Sequence, residues 1–237
     1  MHSLRRLRNP ASAIIRSASS SGPGCRETCG GAWSNGSARR VPTNEVGVLL
    51  VRVSPNDPLS AAPLRGVFTP DDAWALTGDL FRCDDDGDYW RVDGLGDVIL
   101  TAHGPVYTTP IRDALGELPA VDLAVAYGIA PRGPAEQAPR GPAEQVAVAA
   151  ITLREGRETS AEDIAAALAV LPRRLRPTVV RVVDRIPVTT WFRPMTGPLK
   201  KEGIPEPGEG TQVWYLARTG DNYRPLTATA RRRLTRG

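Results

Sequence analysis

The sequence holds few of the residues that build metal sites, disulfide frameworks or membrane spans. Among its 237 residues are three cysteines and two histidines. Cys25 and Cys29 are followed by no second Cys or His pair, and an odd cysteine count fits no disulfide framework. No apolar run approaches the roughly 18 to 20 residues that a spanning helix needs. We therefore predict no metal site, no transmembrane span and a soluble cytoplasmic body, and we leave peripheral contact with a membrane open.

Lysine is also scarce, and much of the positive charge is carried by arginine at the two ends of the chain. Lys200 and Lys201 are the only lysines among 30 basic residues, and the formal net charge is +4. The N-terminal stretch is rich in arginine, and the last residues include the run Arg231–Arg233. Basic ends can bind nucleic acid, but no aromatic residues interleave the terminal arginine clusters as base stacking requires. We predict solvated tails and no nucleic-acid partner, with an arginine-rich nucleic-acid binder as the least favoured alternative.

Residues 1–44 differ in amino-acid composition from the rest of the chain. They are rich in Ser, Gly and Arg and carry no lasting hydrophobic period, so they cannot bury enough surface to offset their chain entropy. We predict that this basic segment is disordered or non-homologous to residues 45–237. An organellar transit peptide and a shifted reading frame are the alternatives for its origin. Two further segments are predicted: residues 45–96, rich in strand signals, and residues 97–237, a small α+β domain.

Hydrophobic periods and turn residues predict the elements of these two segments. The run GVLLVRV predicts a buried strand, and TGDLFRCDDDGDYWRVD predicts a hairpin whose Asp/Gly tract forms the turn. That tract is no calcium loop, because Arg82 would occupy the first ligand position. A helix is predicted over about 109–118 with Thr109 as N-cap, and another after Ser160, which forms a capping box with Asp163. The strands VDLAVAYGI, AVAAITL and TVVRVVD complete an α+β pattern.

Several short motifs follow one another between residue 77 and the tail. They are TGD at 77–79, DGLGD at 93–97, Gly-Pro-Val from Gly104, a Thr-Thr pair that opens a helix, and RIPVTTWFRPMTGPLKKEGI. The tail VWYLARTGDNYRPLT follows them. Taken together over about residues 45–237, they resemble the C-terminal half of the acyl-CoA synthetases in the adenylate-forming superfamily. The pattern is most similar to the fatty-acid transport protein and very-long-chain acyl-CoA synthetase branch, and the resemblance implies that the tail forms that branch's closing strand pair.

The resemblance implies a fold and a nucleotide contact. The implied fold is α+β, with a remnant of a β-barrel subdomain over residues 45–96 and the family's small mobile C-terminal domain over residues 97–237. Asp79, preceded by Thr77, matches the family's carboxylate that binds the ribose hydroxyls of ATP and then of acyl-AMP. These two residues are therefore the nucleotide-binding candidates of the first segment.

The resemblance also implies a hinge and a substrate loop. Asp93, Gly96 and Asp97 match the family's D-R-x-G-D motif, about which the C-terminal domain rotates between the two half-reactions. Gly94 stands where that motif has arginine, which weakens the nucleotide contact that the family makes there. Gly104 matches the glycine of a loop that swings into the thioester-forming site, and it is therefore the candidate CoA contact.

Arg193 stands where the family has its catalytic lysine, which polarises the forming acyl phosphate. Arginine keeps the positive charge but loses the compact geometry of an ammonium group. Lys200 and Lys201 lie about two turns further on if the segment is helical. They could replace the lysine only after a rearrangement of the loop, so Arg193 is the candidate catalytic residue.

The reaction of the full-length relatives is the last implication. ATP and a fatty acid give acyl-AMP and pyrophosphate, CoA then displaces AMP to give acyl-CoA, and Mg²⁺ bridges the phosphates. The family's phosphate-binding loop, a Ser/Thr/Gly-rich run that ends in Pro-Lys, has no counterpart here. We therefore expect a truncated long-chain fatty-acid–CoA ligase that is inactive alone. The alternative is a non-catalytic module that binds CoA or acyl-CoA or pairs with a separate ligase chain.

Overall fold

The computed structural model describes residues 12–17, 38–54, 63–130, 144–208 and 210–236. The chain divides into two compact units, Met1–Asp97 and Val98–Gly237. Each unit has its own main sheet and its own buried core. The tandem octapeptide APRGPAEQ, predicted from its Pro and Gly content to be a surface loop, lies almost entirely outside the described residues.

The first unit is an open antiparallel sheet. Its six strands are β1 (Ser12–Ser17), β2 (Ala38–Arg40), β3 (Val46–Arg52), β4 (Leu64–Arg65), β5 (Ala73–Cys83) and β6 (Tyr89–Gly94). β3 and β5 pair at the centre, with β1 beyond β3 and with both β4 and β6 paired to β5. Leu50, Val67 and Trp74 form its largest apolar cluster. The predicted strand GVLLVRV and the predicted hairpin around the Asp/Gly tract are both confirmed.

The sequence predicts no folded element in residues 1–44, yet the structure describes two strands there. β1 pairs antiparallel with β3, where Ile14 lies opposite Leu49, and β2 pairs with β1. The edge of a strand is a row of unpaired backbone donors and acceptors, so β3 favours a partner whatever that partner's side-chain pattern. Of the six residues of β1 only Ile14 and Ile15 are large and apolar, so neither an alternation nor an apolar run marks the strand in the sequence.

The second unit is a mixed sheet with helices on both faces. Its sheet contains β9 (Val121–Ile129), β10 (Val146–Leu153), β11 (Val179–Val182), β12 (Val213–Leu216) and β13 (Tyr223–Pro225), in the spatial order β13-β12-β11-β10-β9. β10 and β11 run parallel, and the other neighbours run antiparallel. A separate hairpin joins β7 (Ile99–Thr101) to β8 (Gly104–Val106).

The helices of this unit are α1 (Thr108–Gly116), α2 (Ala161–Leu168), α3 (Gly197–Glu202) and α4 (Ala228–Arg236). None of the helices in the described part of the chain is long and apolar enough to cross a membrane. Together with the strands they make an α+β domain, as the sequence predicts. The predicted strand pair in the tail is present as β12 and β13.

Strand β10 contributes to two cores because successive side chains of a strand point to opposite faces. Ala147, Ala149 and Ile151 belong to the core that also contains residues of α1 and α2. Val148 and Ala150 belong to the core that contains residues of α3 and α4. The sheet is therefore covered on both sides, and β10 has apolar residues at consecutive positions rather than in alternation.

The predicted capping box of α2 is confirmed. Ser160 Oγ accepts a hydrogen bond from Asp163 N at 3.1 Å, and the Asp163 carboxylate accepts one from Ser160 N at 2.9 Å. α1 begins two residues earlier than predicted, since its N-cap is Tyr107 and no side chain caps it. Pro110 lies in its first turn, where a missing N–H leaves no intrahelical hydrogen bond unmade.

The C-terminal arginines lie on helix α4, so the prediction of a solvated tail is wrong for this end of the chain. Ala230 is buried in the core beneath the sheet. Arg231 donates a hydrogen bond to Ile204 O at 2.9 Å and forms an ion pair with Glu206 at 2.7 Å. The apolar face of ATARRRLTR is narrow, with Ala230 and Leu234 one helical turn apart, and contacts with residues distant in sequence hold it in place.

Replacing Leu168 by alanine should destabilise the second unit by about 2–5 kcal/mol, because the change leaves a cavity at a fully buried position. Val170, two residues further on, is 76% exposed, so Val170→Ala should change the free energy of unfolding by no more than about 0.5 kcal/mol. Denaturant unfolding of both variants measures the contrast. Equal losses would show that the assigned core is wrong.

Candidate functional site

Asp79 is presented by a bulge in the central strand of the first unit. Val48 pairs with Leu80 and Leu50 pairs with Leu76, so residues 77–79 of β5 lie opposite a single residue of β3. Such a bulge re-aims the side chains that it carries. The middle residue of the bulge is Gly78, whose φ of +77° is in the left-handed region that favours glycine.

Thr77 fixes this bulge to the sheet. Its hydroxyl donates a hydrogen bond to Leu49 O at 2.9 Å and accepts one from Asp79 N at 3.2 Å. The predicted role of Thr77 as a ligand contact stays a prediction, but its position gives it a structural task. It holds the backbone from which the Asp79 carboxylate projects.

Arg91, which the sequence analysis did not single out, binds the Asp79 carboxylate from strand β6. Its Nε and Nη2 lie 3.1 and 2.9 Å from Asp79 Oδ1. Both side chains are partly exposed, so water screens the pair and its contribution to stability is small. Within the described residues, Asp79 Oδ2 has no hydrogen-bond donor, and it is therefore open to a ligand hydroxyl.

The predicted hinge residues form the turn that follows β6. Asp93 is buried, and its Oδ1 accepts a hydrogen bond from Gly94 N at 2.9 Å. Asp97 N donates to Gly94 O at 3.0 Å, which closes a turn around Gly96. Leu95 N donates a hydrogen bond of 2.7 Å to the carbonyl oxygen of Gly78, the middle residue of the Asp79 bulge. The turn is thus attached to the bulge, and the division between the two units falls directly after it.

Gly94 occupies a position that leaves little room for a side chain. A Cβ atom there would lie 2.6 Å from Asp97 Oδ2 and 3.8 Å from Arg91 Nη2. An arginine at this position, as in the resembled motif, would need the Asp97 carboxylate to move. In this chain the guanidinium of Arg91 already lies beside Gly94 and supplies a positive charge next to Asp79.

Gly104 lies at the turn of the β7–β8 hairpin in the second unit. Its φ of +104° is one that residues with a Cβ rarely adopt. Thr101 Oγ1 donates to Gly104 O at 2.8 Å and accepts a hydrogen bond from His103 N at 3.2 Å. These bonds order the turn, and the His103 side chain is exposed at its tip.

A cleft of about 490 Å³ lies beside this hairpin, and we call it the arginine cleft. Its basic lining residues are His103, Arg173, Arg174, Arg176 and Arg218, and the remaining ones include Thr101 and Thr178. Both the hairpin and the arginines belong to the second unit. The sequence analysis missed this cluster, for which the run PRRLRP was the one available signal.

Two of these arginines are fixed by the protein and two face solvent. Arg176 is buried and its Nε donates to the Leu171 carbonyl at 2.9 Å, while Nη1 lies 3.3 Å from Asp221 Oδ1 without hydrogen-bond geometry. Arg173 donates to main-chain carbonyls of the β12–β13 turn. Arg174 and Arg218 are exposed and have no ion pair within the described residues. Asp221 lies 3.3 Å from both Arg173 and Arg176, and no acidic residue is among the described residues that line the cleft, an arrangement that attracts anions.

Tyr223 supports the wall of the arginine cleft. Burial raises the pKa of its phenol, an effect that the positive charges of Arg176 and Arg173 offset only in part. The phenol therefore stays protonated and donates a hydrogen bond of 2.7 Å to Pro177 O. This bond ties β13 to the segment that carries Arg173 and Arg176.

Arg193 lies on an exposed hairpin loop of the second unit. Its backbone N donates to Thr189 Oγ1 at 3.1 Å, and its side chain has no ion pair within the described residues. Lys200 and Lys201 lie on a different element, helix α3. Within the described residues, no hydrogen bond joins Arg193 to Lys200 or Lys201. Neither lysine is therefore held at the position of Arg193.

No group of three or more His, Cys, Asp or Glu side chains converges on a metal position in the described parts of the chain. Mg²⁺ usually keeps several waters and binds through one or two carboxylates and substrate phosphates. The described residues therefore fit a Mg²⁺–ATP complex only if the phosphates and water supply most of the Mg²⁺ ligands.

Known proteins match most of this chain, although no protein-family model does. It is 30% identical over 206 residues to the medium/long-chain-fatty-acid–CoA ligase FadD6 of Mycobacterium tuberculosis, covering 82% of this chain and 33% of that protein. It is 24% identical over 205 residues to the long-chain fatty acid transport protein 2 of Rattus norvegicus, covering 82% and 32%. The chain belongs with the fatty-acid–CoA ligases and fatty acid transport proteins. It spans about a third of the length of these relatives.

Solved structures of longer proteins share the fold of this chain. The amide bond synthetase McbA of Marinactinospora thermotolerans superposes with a TM-score of 0.53 at 20% identity, covering 82% of this chain and 35% of that one. The predicted family and the predicted α+β fold class are thereby confirmed. The roles of the individual site residues stay predictions.

The structure brings some of the predicted site residues together. Asp79 and Thr77 lie on one bulge, to which the hinge turn is hydrogen bonded. Gly104 lies beside the arginine cleft, and Arg193 lies on a loop of its own. Chemically, the bulge offers a carboxylate oxygen to hydroxyl donors, and the cleft offers guanidinium groups to phosphates.

Tyr223→Phe should lower the free energy of unfolding of the second unit by about 1–3 kcal/mol, because it leaves the buried Pro177 carbonyl without its donor. Tyr215→Phe is the matched control, since that hydroxyl makes no hydrogen bond within the described residues. Denaturant melts of the two variants measure the difference. An unchanged Tyr223→Phe variant would remove Tyr223 from its supporting role.

Proposed function

We propose that this chain carries the C-terminal elements of a long-chain fatty-acid–CoA ligase. The observation that carries the proposal is the hydrogen bond between the Asp79 bulge and the turn that ends β6, immediately before the boundary between the two units. It couples a carboxylate able to bind ribose hydroxyls to a segment from which a second domain can move. Family membership and the order of the motifs support the same proposal.

The proposed reaction has two steps. The fatty-acid carboxylate attacks the α-phosphorus of ATP and releases pyrophosphate, and the CoA sulfur then attacks the acyl carbonyl and releases AMP. Asp79 Oδ2 would accept hydrogen bonds from the ribose hydroxyls in both steps. Arg193 would place positive charge near the forming acyl phosphate, and Gly104 would lie at the CoA side. Mg²⁺, when bound, would neutralise the charge of the phosphates.

We further propose that these 237 residues form no acyl-CoA by themselves. Arg91 occupies one oxygen of the Asp79 carboxylate, and the side chain of Arg193 is solvated. Catalysis of this kind depends on positioning and on groups already oriented toward the transition state. The described part of the chain offers too few groups that position the substrates or that are already oriented toward the transition state.

The purified chain should therefore show neither ATP–pyrophosphate exchange nor acyl-CoA synthesis above a blank without enzyme. The assay uses ATP, Mg²⁺, CoA and fatty acids of several lengths, with FadD6 as the active control. Robust fatty-acid-dependent and ATP-dependent synthesis by the pure chain would overturn the proposal of inactivity and leave family membership untouched.

A second function is favoured by the arginine cleft, namely a non-catalytic module that binds CoA or acyl-CoA. CoA carries phosphate groups, and guanidinium groups bind phosphate in bidentate geometry. Arg174 and Arg218 are exposed at the cleft and are available for such contacts. A module of this kind would work with a separate ligase chain, which crosslinking in the native host would recover.

Calorimetric titration with CoA tests the cleft. The double change Arg174→Ala and Arg218→Ala should weaken binding at least tenfold, because each lost charge-assisted hydrogen bond costs about 1.5 kcal/mol or more. Arg232→Ala with Arg233→Ala is the matched control, since it removes the same charge from the exposed side of α4. The absence of CoA binding, or an equal loss in both double variants, would reject the cleft as the CoA site.

A further inference from the structure

The second unit contains a pocket of about 460 Å³ on the side of the sheet that α3 and α4 cover. Its walls are the C-terminal end of β9, the C-terminal end of α3 with the residues that follow it, and helix α4. We call it the Lys200 pocket. The arginine cleft borders the other core, on the side of α1 and α2. The described residues that line the Lys200 pocket include none that we assign to the ligase reaction.

Arg231 holds two walls of the Lys200 pocket together. Its Nε donates a hydrogen bond of 2.9 Å to Ile204 O, and its Nη1 lies 2.7 Å from Glu206 Oε1. Both partners belong to the segment that follows α3. The pocket is therefore formed without a ligand, as small-molecule sites usually are, and its volume is within their common range of about 300–1,000 Å³.

The lining of the Lys200 pocket carries one uncompensated positive charge. The acidic lining residue, Glu202, is paired with Arg181 at 3.0 Å, and the lining residue Arg231 is paired with Glu206. The Lys200 side chain is exposed and has neither a hydrogen bond nor an ion pair within the described residues. Its ammonium group is therefore available to an anion.

An apolar surface lies in the same pocket as this ammonium group. It is formed by Ile129, Ile204 and Leu234. Ile204 is buried in the core, and the other two are half-buried against that core. A hydrocarbon chain placed against them would remove apolar surface from water on both sides of the contact. The pocket thus combines a cation with an apolar wall.

We propose that the Lys200 pocket binds a small organic monoanion with a short aliphatic body. The single uncompensated cation matches one negative charge, and Glu202 on the lining disfavours a ligand that carries two. An inorganic anion would leave the apolar wall in contact with water. The proposal goes beyond the ligase function and does not depend on it.

Titration of the full chain with hexanoate tests the proposal, with the amide signals of the protein followed by NMR. The amides of Gly128 and Gly203, which line the pocket, should shift to saturation, while that of Gly104 beside the arginine cleft should not. Acetate has the charge without the chain, and 1-hexanol has the chain without the charge. Each should bind at least tenfold more weakly than hexanoate.

The two lysines provide a matched pair of variants. Lys200→Ala should weaken hexanoate binding at least tenfold, because it removes a charge-assisted hydrogen bond. Lys201→Ala should leave the binding unchanged, since Lys201 is exposed on the same helix but is not among the described lining residues. Both substitutions are at exposed positions, so both variants should fold.

Amine-reactive labelling read by mass spectrometry gives a second readout on the unaltered protein. Lys200 and Lys201 are the only lysines in the chain, so fragment ions report on each separately. Saturating hexanoate should slow the labelling of Lys200 several-fold and leave the labelling of Lys201 unchanged.

Four results would overturn the proposal. They are the absence of saturable shifts at Gly128 and Gly203, equal binding of hexanoate and acetate, an equal loss in the two lysine variants, and equal protection of both lysines from labelling. The second result would mean that the apolar wall is unused, and the last two would mean that general attraction by positive charge explains the binding. None of them bears on the acyl-CoA or CoA-binding assays, so the proposals fail separately.

Discussion

Burial of β10 on both of its faces is the constraint that organises the second unit. Residues 147–151 are all excluded from water, so the sheet needs a helical layer on each side. α1 and α2 supply one layer, and α3 and α4 supply the other. The chain between α2 and α3 must therefore pass from one layer to the other through β11. The arginine segment before β11 and the loop of residues 188–195 after it both lie at the surface, where ligands can reach them.

In the first unit, the Asp79 bulge has a cationic neighbour in Arg91 and none at position 94. Gly94 cannot supply the positive charge that the resembled motif would place there. Arg91 lies on the same strand and directs its guanidinium to Asp79 from a neighbouring position. The carboxylate keeps a cationic neighbour, but one of its oxygens is engaged before any ligand arrives. The arginine that binds Asp79 therefore lies outside the motif of residues 93–97.

The scarcity of lysine gives arginine several distinct tasks in this chain. Arg181 is buried and joins β11 to helix α3 through Glu202. Arg176 is buried beneath the arginine cleft, while Arg174 and Arg218 face solvent at its surface. Arginine suits the buried positions because its delocalised charge is weakly hydrated and its planar group makes several hydrogen bonds at once. The same property suits the cleft to phosphate groups.

The sequence by itself determined the local elements and the family. The continuous apolar runs in VDLAVAYGI and AVAAITL, the capping box at Ser160 and the order of short motifs all depend on residues close together in the chain. Only the tertiary structure decided that Arg218 joins the arginines before β11, that Arg91 binds Asp79, and that α4 is a packed helix. These arrangements come from strand pairing and burial between distant segments, which leave no period or spacing in the sequence.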